Sequence, residues 1–157
     1  MSASLIPMPR GQYAIVDRED RDSLAKSKWS ISNGRYVARN AGSTELATFM
    51  HRAVLGLRYR DGRYADHINH NTLDNRKSNL RICNCSQNNG NMRPKNHSSK
   101  YKGVSWFKAG GNWTAQIKVN YKKIHLGYFK DEWSAAEAYN KKALELFGEF
   151  ALLNGRS

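Results

Sequence analysis

Short runs in which apolar and polar residues alternate are spread over the first part of the chain. The clearest of them cover residues 13–16, 29–32 and 35–39. Because successive side chains of a strand point to opposite faces, each run predicts a short strand. Asn33 and Gly34 separate the last two runs, and Asn-Gly at such a place is typical of a β-hairpin turn. Residues 1–12 are expected to be loose, since Ser, Pro and Gly dominate there without a period.

Two short helices are predicted among these strands. Residues 17–27 are polar enough for a brief helix, which Asp17 or Asp20 could cap at its start. A further run at residues 45–50 leads into the apolar segment 51–57, where a helix closed by Gly56 is expected. Four large side chains are expected to form the core of this front part: Trp29, Tyr36, Phe49 and Leu55.

The next stretch combines regular elements with reactive side chains. An alternating run, a polar loop, an apolar run and a helix-like start follow one another at residues 63–67, 69–79, 80–83 and 86–89. The first run ends in Asp66 and His67, and the last piece carries Asn88. Folded as strand, loop, strand and helix, this segment can aim these three side chains at a common point.

These residue types have a chemical interpretation. Aspartate is an anionic and asparagine a neutral oxygen ligand, a pair that suits Mg²⁺ or another oxygen-preferring divalent ion. Histidine titrates near neutrality, so beside such an ion it can take a proton from water. Metal, base and water together can hydrolyse a phosphodiester. The alternative is a capping aspartate beside an ordinary surface histidine, because single Asp-His pairs are common.

The pattern changes after the polar segment 92–99, which is expected to be a linker because Pro94 ends the preceding helix. Its Arg93 and Lys95 are expected to follow a DNA backbone. Three strands are predicted at residues 104–107, 113–119 and 123–127. A helix is predicted to begin at Asp131 or Ser134 and to run to about residue 147. In the second strand, apolar and polar residues alternate strictly, so one face of the sheet should pack on the helix and the other should be free.

The charge of the chain indicates the class of partner. The 157 residues include 26 Lys and Arg against 13 Asp and Glu, and the net charge is +13. Clustered cations displace condensed counterions from phosphates, so nucleic acid is the expected partner. A membrane surface is the competitor, but no long apolar span or signal-peptide core is visible. The protein is therefore expected to be soluble and cytoplasmic, in the host cell if a phage encodes it.

The central stretch resembles the HNH family of nucleases, and most of all the phage and intron-borne homing endonucleases of the H-N-N type. The resemblance covers Asp66-His67-Ile68-Asn69, Leu73-Asp74-Asn75-Arg76, Ser78-Asn79-Leu80-Arg81 and Ser86-Gln87-Asn88-Asn89. His67 and Asn79 are 12 positions apart, and Asn79 and Asn88 are nine apart, which agrees with that motif. His70 departs from it, because relatives usually carry a small residue there.

That resemblance implies a ββα-metal finger with assigned roles. His67 would be the general base, and Asp66 and Asn88 would hold magnesium or another divalent cation such as manganese. Asn79 would fix the loop and orient His67 through hydrogen bonds. The resemblance extends over the front part at Lys28-Trp29 and His51-Arg52. His51 is either a second metal or phosphate contact, or a buried histidine bonded to a neighbouring strand.

Residues 98–154 resemble the Apetala-two domain of plant ethylene-response factors. The matches are Tyr101-Lys102-Gly103-Val104, Trp113, Ala115-Gln116-Ile117-Lys118, His125-Leu126-Gly127-Tyr128-Phe129, Ala135-Ala136-Glu137-Ala138-Tyr139-Asn140 and Leu153-Asn154. The resemblance implies that the sheet lies in the major groove of DNA. The side chains that would face the DNA are Lys102, Ser105, Trp106, Lys108, Gln116, Lys118, Lys123 and His125. Several positions where plant members carry Arg hold Lys or Ser here, which favours weaker or altered base selection.

The sequence therefore predicts an α+β protein with two domains. Residues 1–91 would form an HNH nuclease domain with a metal finger at about 60–91, followed by a basic linker at 92–99. Residues 100–157 would form a small three-stranded antiparallel sheet packed on one helix. The expected activity is that of a homing-type DNA endonuclease acting on double-stranded DNA as a monomer or homodimer, with no small-molecule substrate. The alternatives are a non-catalytic DNA-binding regulator and, less compatible with the sheet, an RNA-binding protein.

Overall fold

The computed structural model describes residues 2–39, 48–58, 60–93 and 98–156. The chain divides into two compact units, Met1–Asn84 and Cys85–Ser157. Helices and small antiparallel sheets occur in both, so the predicted α+β class is confirmed. No helix among these residues is long and apolar enough to cross a membrane.

The described part of the first unit contains seven strands and two α-helices. The strands are β1 (Ala3–Pro7), β2 (Tyr13–Asp17), β3 (Ser30–Ser32), β4 (Tyr36–Arg39), β5 (Thr48–Phe49), β6 (Tyr64–His67) and β7 (Leu80–Cys83). The helices are α1 (Arg18–Ala25) and α2 (Met50–Val54). The strands form three antiparallel sheets, β1–β2, β3–β4–β5 and β6–β7.

The N-terminal segment is a strand, and the expectation that residues 1–12 are loose is wrong. β1 pairs with β2 over five residues, which places Ile6 opposite Ala14. Both side chains are buried, together with Val16. Pro7 lies at the end of the strand, where a missing N–H is tolerated. The segment is ordered by a partner strand further along the chain, which overrides its weak local preference.

The predicted hairpin and helices of the first unit are present. β3 pairs with β4 across Asn33 and Gly34, both of which adopt positive φ. Helix α1 begins directly after Asp17, although that carboxylate accepts a hydrogen bond from the Lys77 N–H instead of capping the helix. Residues 45–47 of the predicted run 45–50 lie outside the described residues; Thr48–Phe49 is β5.

One hydrophobic core lies under β1, β2, β4 and both helices. Its buried members are Ile6, Met8, Ala14, Val16, Leu24, Trp29, Val37 and Met50. Trp29 also donates its indole N–H to the Leu24 carbonyl at 2.7 Å, which satisfies the polar edge of a buried ring. This core supports β6 indirectly, because the loop that follows β6 is bonded to β2: Ile15 exchanges backbone hydrogen bonds with Leu73 and Asn75.

The second unit, over residues 85–93 and 98–156, contains two α-helices and one sheet. Its elements are α3 (Cys85–Asn91), β8 (Val104–Phe107), β9 (Asn112–Val119), β10 (Lys122–Phe129) and α4 (Glu132–Phe147). β9 is the central strand, with β8 and β10 antiparallel on either side. The predicted three strands and closing helix are thus confirmed. Asp131 caps α4 by accepting from the Ser134 N–H at 2.8 Å, and Gly148 follows its last residue.

Helix α4 covers one face of this sheet. Ala115 and Ile117 of β9 are buried against Ala135 and Tyr139 of α4 and their neighbours, as the alternation in β9 predicts. Helix α3 belongs to this second unit, whereas the sequence grouped it with β6 and β7. The predicted domain boundaries and the ββα-metal arrangement stay predictions.

Candidate functional site

The loop between β6 and β7 is held in shape by Asn79. Its side-chain oxygen accepts from the Asn69 N–H at 3.0 Å, and its side-chain nitrogen donates to the Asp74 carbonyl at 2.8 Å. Asn79 is buried, so both bonds lie in a region of low dielectric and are costly to break. Its amide thus joins the start of the loop to its middle.

A buried charge pair fixes the middle of the same loop. Asp74 is 2% exposed, and the Arg76 guanidinium reaches both of its carboxylate oxygens, at 2.8 and 2.7 Å. Asn69 donates a third hydrogen bond to it at 3.1 Å. The hydrogen bond from Arg76 is the main cause that lowers the pKa of Asp74. The paired carboxylate of Asp74 therefore holds the middle of the loop in shape.

His67 lies at the end of β6 with its ring 5% exposed. Its Nε2 is 3.4 Å from Oδ1 of Asn75, and the Nδ2 of the same amide donates to the Leu73 carbonyl at 3.2 Å. Because the amide nitrogen faces a carbonyl, the amide oxygen faces the imidazole and Nε2 is the protonated ring nitrogen. Nδ1 of His67 is then the proton acceptor.

The surroundings keep His67 neutral. Burial lowers its pKa, and this outweighs the hydrogen bond to Asn75 and the charges of Asp66 and Asp74, which act in the opposite direction. A neutral imidazole near pH 7 is the form that can accept a proton. The sequence motif included Asn75 without a role, and Asn79 was expected both to fix the loop and to orient His67. In the structure Asn79 bonds to the loop and Asn75 bonds to the ring of His67. An orienting role of Asn79 stays a prediction.

Asp66 pairs with Arg81, which lies directly opposite on β7. Nε and one terminal nitrogen of Arg81 are 3.0 and 2.9 Å from the same carboxylate oxygen of Asp66. Both side chains are largely buried, at 9% and 14% exposure. The sequence motif contains Arg81, but nothing in the pattern predicted that this arginine would lie opposite Asp66 and form an ion pair with it.

His51 lies beside His67 in a small aromatic cluster. The two imidazole rings are 5.1 Å apart and meet edge to face, while Phe49 stacks on His51 at 5.5 Å. His51 is 7% exposed, and its buried Nδ1 has no hydrogen-bond partner among the residues that the structure describes. The structure therefore buries His51, as the second alternative expected, whereas the bond to a neighbouring strand stays a prediction. Burial, with the positive charges of His67 and Arg52 added, lowers its pKa to about 3.

The depressed pKa of His51 predicts a specific pH dependence of stability. Below pH 6.5 the unfolded chain takes up a proton at this residue, whereas the folded chain does so only near pH 3. The free energy of unfolding should therefore fall with decreasing pH through this window, by up to about 1.4 kcal/mol per pH unit. His51→Phe keeps the stacked ring and removes the proton site, so its pH slope should be shallower by about one proton.

Urea unfolding at pH steps from 7 to 4.5 measures both slopes. His70→Asn is a matched control, because His70 stands at a positive φ that asparagine adopts readily. Equal slopes for the wild type and His51→Phe would contradict the assignment of a neutral buried His51.

The metal ligands predicted from the resemblance are Asp66 and Asn88. Within the described residues no three His, Cys, Asp or Glu side chains come together as a metal-binding group. Mg²⁺ does not need such a group: it is commonly held by one or two carboxylates, retained waters and substrate phosphate oxygens. One carboxylate and the half-buried Asn88 amide on α3 are compatible in chemistry with that mode of binding.

On the free face of the second unit's sheet, β9 and β10 carry four of the predicted DNA contacts. Register places His125 opposite Gln116, and Lys123 opposite Lys118. All four side chains are exposed, whereas Ile117 between them points to the helix and is buried. This face is therefore polar, basic and open over two adjacent strands.

Aromatic side chains that the sequence did not single out share this face. Tyr128 is 58% exposed and Phe107 is 40% exposed, and their rings are 5.2 Å apart. Tyr128 also contacts His125 at 4.7 Å. Ser105, a predicted contact, alternates with the buried Val104 and lies on the same side as Phe107. The two-residue period of β8 could have identified Phe107, because it is in phase with Ser105. The same period does not identify Tyr128, because the register of β10 shifts between His125 and Gly127.

Trp106 lies on the other face. It is opposite Trp113 on β9, with the rings 5.1 Å apart and meeting edge to face. Its alternation with Ser105 places it on the side of the buried Val104, although 40% of it is exposed. Its predicted contact with DNA would have to be made from the edge of the sheet.

The remaining predicted contacts differ in their surroundings. Lys108 and Arg93 are exposed, and Lys95 lies outside the described residues. Lys102 is half-buried, and its ammonium donates to the carbonyls of Asn89 and Gly90. Lys102 therefore has a structural contact that a role in phosphate binding alone does not explain.

Comparison with known proteins identifies the family of the chain that carries this buried Asp-His pair and polar loop. The chain is 33% identical over 152 residues to a protein of Acanthamoeba polyphaga mimivirus described as an uncharacterized HNH endonuclease. The match covers 96% of this chain and 79% of the relative. The chain therefore belongs to the HNH endonuclease family.

Two further relatives cover less of the chain. Protein 3.8 of Escherichia phage T7 is 33% identical over 91 residues, which is 57% of this chain and 74% of the phage protein. APETALA2-like protein 2 of Oryza sativa is 34% identical over 61 residues, which is 39% of this chain and only 14% of the plant protein. No family model matches the sequence.

Proposed function

We propose that this protein is a site-directed DNA endonuclease of homing type that uses one divalent metal ion and His67 as the general base. The observation that carries the proposal is the buried imidazole of His67, neutral near pH 7 and oriented by Asn75 so that Nδ1 accepts a proton. Membership of the HNH endonuclease family supports nuclease activity for a chain that carries this group.

The side chains around His67 have separate tasks in this proposal. Nδ1 of His67 takes a proton from the attacking water, while Asn75 holds the ring through Nε2. Asn79 keeps the loop closed, so the ring does not move when the proton arrives. Asp66 and Asn88 are the proposed ligands of magnesium or manganese, which when bound would stabilise negative charge on the phosphate and the leaving oxygen.

The second unit is proposed to bind double-stranded DNA with the free face of its sheet, as an Apetala-two-like domain in the major groove. The face carries Gln116, Lys118, Lys123 and His125, and the chain as a whole has a charge of +13. A single nuclease site contacts too few base pairs to select a target. A second binding module on the same chain raises affinity through effective concentration.

The proposal is tested by cleavage of a pool of supercoiled plasmids that carry a randomised insert. In Mg²⁺ or Mn²⁺ the protein should nick or linearise a subset of plasmids, and sequencing of the ends should give a shared target. Chelation with EDTA should abolish cutting and leave binding. Because each chain would have one active site, a monomer should cut one strand per binding event and nick the plasmid. A double-strand break would need a dimer or a second binding event. Cutting that is unchanged in EDTA would contradict the metal-dependent mechanism.

A non-catalytic DNA-binding regulator is the second candidate. The ion pair between Asp66 and Arg81 favours it, because the arginine already neutralises the proposed metal ligand. The plant relative matches only over a short segment of a much longer protein, and it does not decide between the two. A regulator would bind the selected DNA without cutting it in any divalent metal.

A further inference from the structure

Two exposed aromatic rings meet over the central strand of the second unit's sheet. Phe107 belongs to β8 and Tyr128 to β10, the strands that flank β9. Strands on either side of a central strand are roughly 10 Å apart. The two ring centroids are only 5.2 Å apart, so the side chains lean towards each other across β9. Together they form an exposed apolar patch, the aromatic patch, on the free face.

The turn after β8 holds the Phe107 side of the aromatic patch. A Cβ added at Gly110 would lie 2.8 and 2.9 Å from two atoms of the Phe107 ring. The Gly110 N–H also donates to the Phe107 carbonyl at 3.3 Å. The ring therefore lies directly on the backbone of this turn, at a position where a larger residue would displace it.

A β-bulge turns Tyr128 to the free face. His125 is opposite Gln116 and Tyr128 is opposite Thr114, with a register shift between His125 and Gly127. Thr114 and Gln116 are two positions apart on β9, so they and their partners lie on one face of the sheet. Gly127 has φ +129°, a conformation that glycine adopts without strain. The bulge thus brings His125 and Tyr128, three positions apart, to the same side.

The aromatic patch is surrounded by polar and basic side chains. Oγ1 of Thr114 lies 3.3 Å from Nδ1 of His125. Gln116 and Lys118 continue the same face along β9, and both are exposed, as is Lys108 next to Phe107. Lysines of this face complement the charge of DNA phosphates. Phosphate contacts do not use aromatic rings, so the patch has to match a group of different chemistry.

The edges of DNA base pairs contain one apolar group in the major groove, the C5-methyl group of thymine, and a phenyl ring is among its known partners. We propose that Phe107 and Tyr128 give the sheet its base selectivity by contacting thymine methyl groups. This inference rests on the proposed binding of double-stranded DNA by the free face, and it names the feature of the DNA that the face selects.

The expected contribution of each contact follows from the burial of one methyl group, which strengthens binding about fourfold. Both rings are already packed in the free protein, by Gly110 and by each other. Little rotamer freedom is therefore lost on binding, and most of this gain should be realised.

Stacking of the rings on unpaired bases is the competing role for the aromatic patch. The two roles have different signatures. Stacking favours single strands and tolerates every base, because each base has a π-face. Contact with a methyl group requires thymine at fixed positions of a duplex, and it is lost when uracil replaces thymine, since uracil lacks only that methyl group.

The test uses the full chain in EDTA, so that binding is measured without cutting. Binding sites are first selected by the wild type from random duplexes. Each thymine of a selected site is then replaced by uracil, and the affinities are measured by fluorescence anisotropy. The same duplexes are measured with Phe107→Ala, Tyr128→Ala, Tyr128→Phe and Tyr13→Ala. Tyr13 is an exposed tyrosine of β2 in the first unit, so its replacement controls for the loss of an exposed ring.

The selected sites should share thymines, and uracil at one or two of them should weaken wild-type binding about fourfold each. At least one of these methyl effects should disappear in each of Phe107→Ala and Tyr128→Ala. Tyr128→Phe keeps the ring and should keep every effect, as should Tyr13→Ala. A methyl effect compares two duplexes on one protein, so a general loss of stability or affinity does not produce this pattern.

Three outcomes would overturn the inference and leave the proposed DNA binding intact. They are selected sites without shared thymines, equal wild-type affinity for thymine and uracil duplexes, and methyl effects that persist in both alanine variants. Tighter binding of single strands than of duplexes would establish stacking in its place. If no duplex is bound at all, the proposed DNA-binding role of the sheet is itself wrong, and the inference falls with it.

Discussion

Replacing His67 with alanine is expected to abolish DNA cleavage while DNA binding stays within about threefold of the wild type. The variant removes the only group that the proposal gives for taking a proton from the attacking water. General-base catalysis commonly contributes about 10²- to 10⁴-fold to a rate, so the cleavage rate should fall by at least that much. Binding should be preserved, because a ring that is 5% exposed offers little surface to DNA.

His67→Gln separates the loss of the base from the loss of packing. Glutamine can still donate to Oδ1 of Asn75, but it has no basic nitrogen. It should be as inactive as alanine and melt closer to the wild type, since alanine leaves a space beside His51. His70→Asn changes a nearby imidazole of the same loop and should cut normally.

Single-turnover cleavage in Mg²⁺ measures the rate, and anisotropy on the same DNA in EDTA measures binding. A parallel fall in rate and affinity for His67→Gln would mean that His67 contributes to binding and not to proton transfer. Normal cutting by either variant would remove His67 from the mechanism altogether.

Local sequence patterns were sufficient to predict most of the secondary structure. The Asn33-Gly34 turn, the three strands of the second unit and the capped helix after Asp131 all depend on neighbours within a few residues. β1 was not predicted, because it is ordered by pairing with β2, which lies on the far side of a turn. A segment that contains Pro7 and Gly11 looks irregular until its partner strand is known.

The partners of the reactive residues were harder to predict, because they are set by tertiary structure. The motif named Asp66 and His67, but strand register decides that Arg81 lies opposite Asp66. His51 reaches His67 from a helix 16 residues earlier in the sequence, and only the fold brings the two rings within 5.1 Å. Such contacts have no periodic signal in the sequence.

Helix α3 shows the same difference on a larger scale. By position in the chain it follows β7 directly, which suggested one continuous motif. Its Gly90 packs against Phe147, 57 residues further on, and its charged partner is Lys102. A glycine at position 90 is the one local sign of that contact, and it is ambiguous because glycine also ends helices.

Gly103→Ala is expected to destabilise the second unit severely. Gly103 has φ +77°, and an added Cβ would lie 2.1 Å from the Tyr139 ring and 2.6 Å from the Gln116 carbonyl oxygen. Tyr139 is 3% exposed in the core under the sheet, so a shift of its ring would disturb the packing of that core. Positive φ costs about 1–2 kcal/mol for alanine, and overpacking a core adds about 1–3 kcal/mol or more. The free energy of unfolding should therefore fall by roughly 3–5 kcal/mol.

Gly111→Ala provides the matched control for this variant. Gly111 has a similar φ of +61°, but no atom of the described residues lies within 4 Å of an added Cβ. Its cost should be limited to the backbone term of about 1–2 kcal/mol. Urea unfolding followed by tryptophan fluorescence measures both variants, since Trp106, Trp113 and Trp133 all lie in the second unit. Because the proposed DNA-binding face and Asn88 both depend on this unit, Gly103→Ala should lose binding and cutting together where His67→Ala loses cutting alone. Equal costs at Gly103 and Gly111 would show that the close approach of Gly103 to Tyr139 does not constrain the fold.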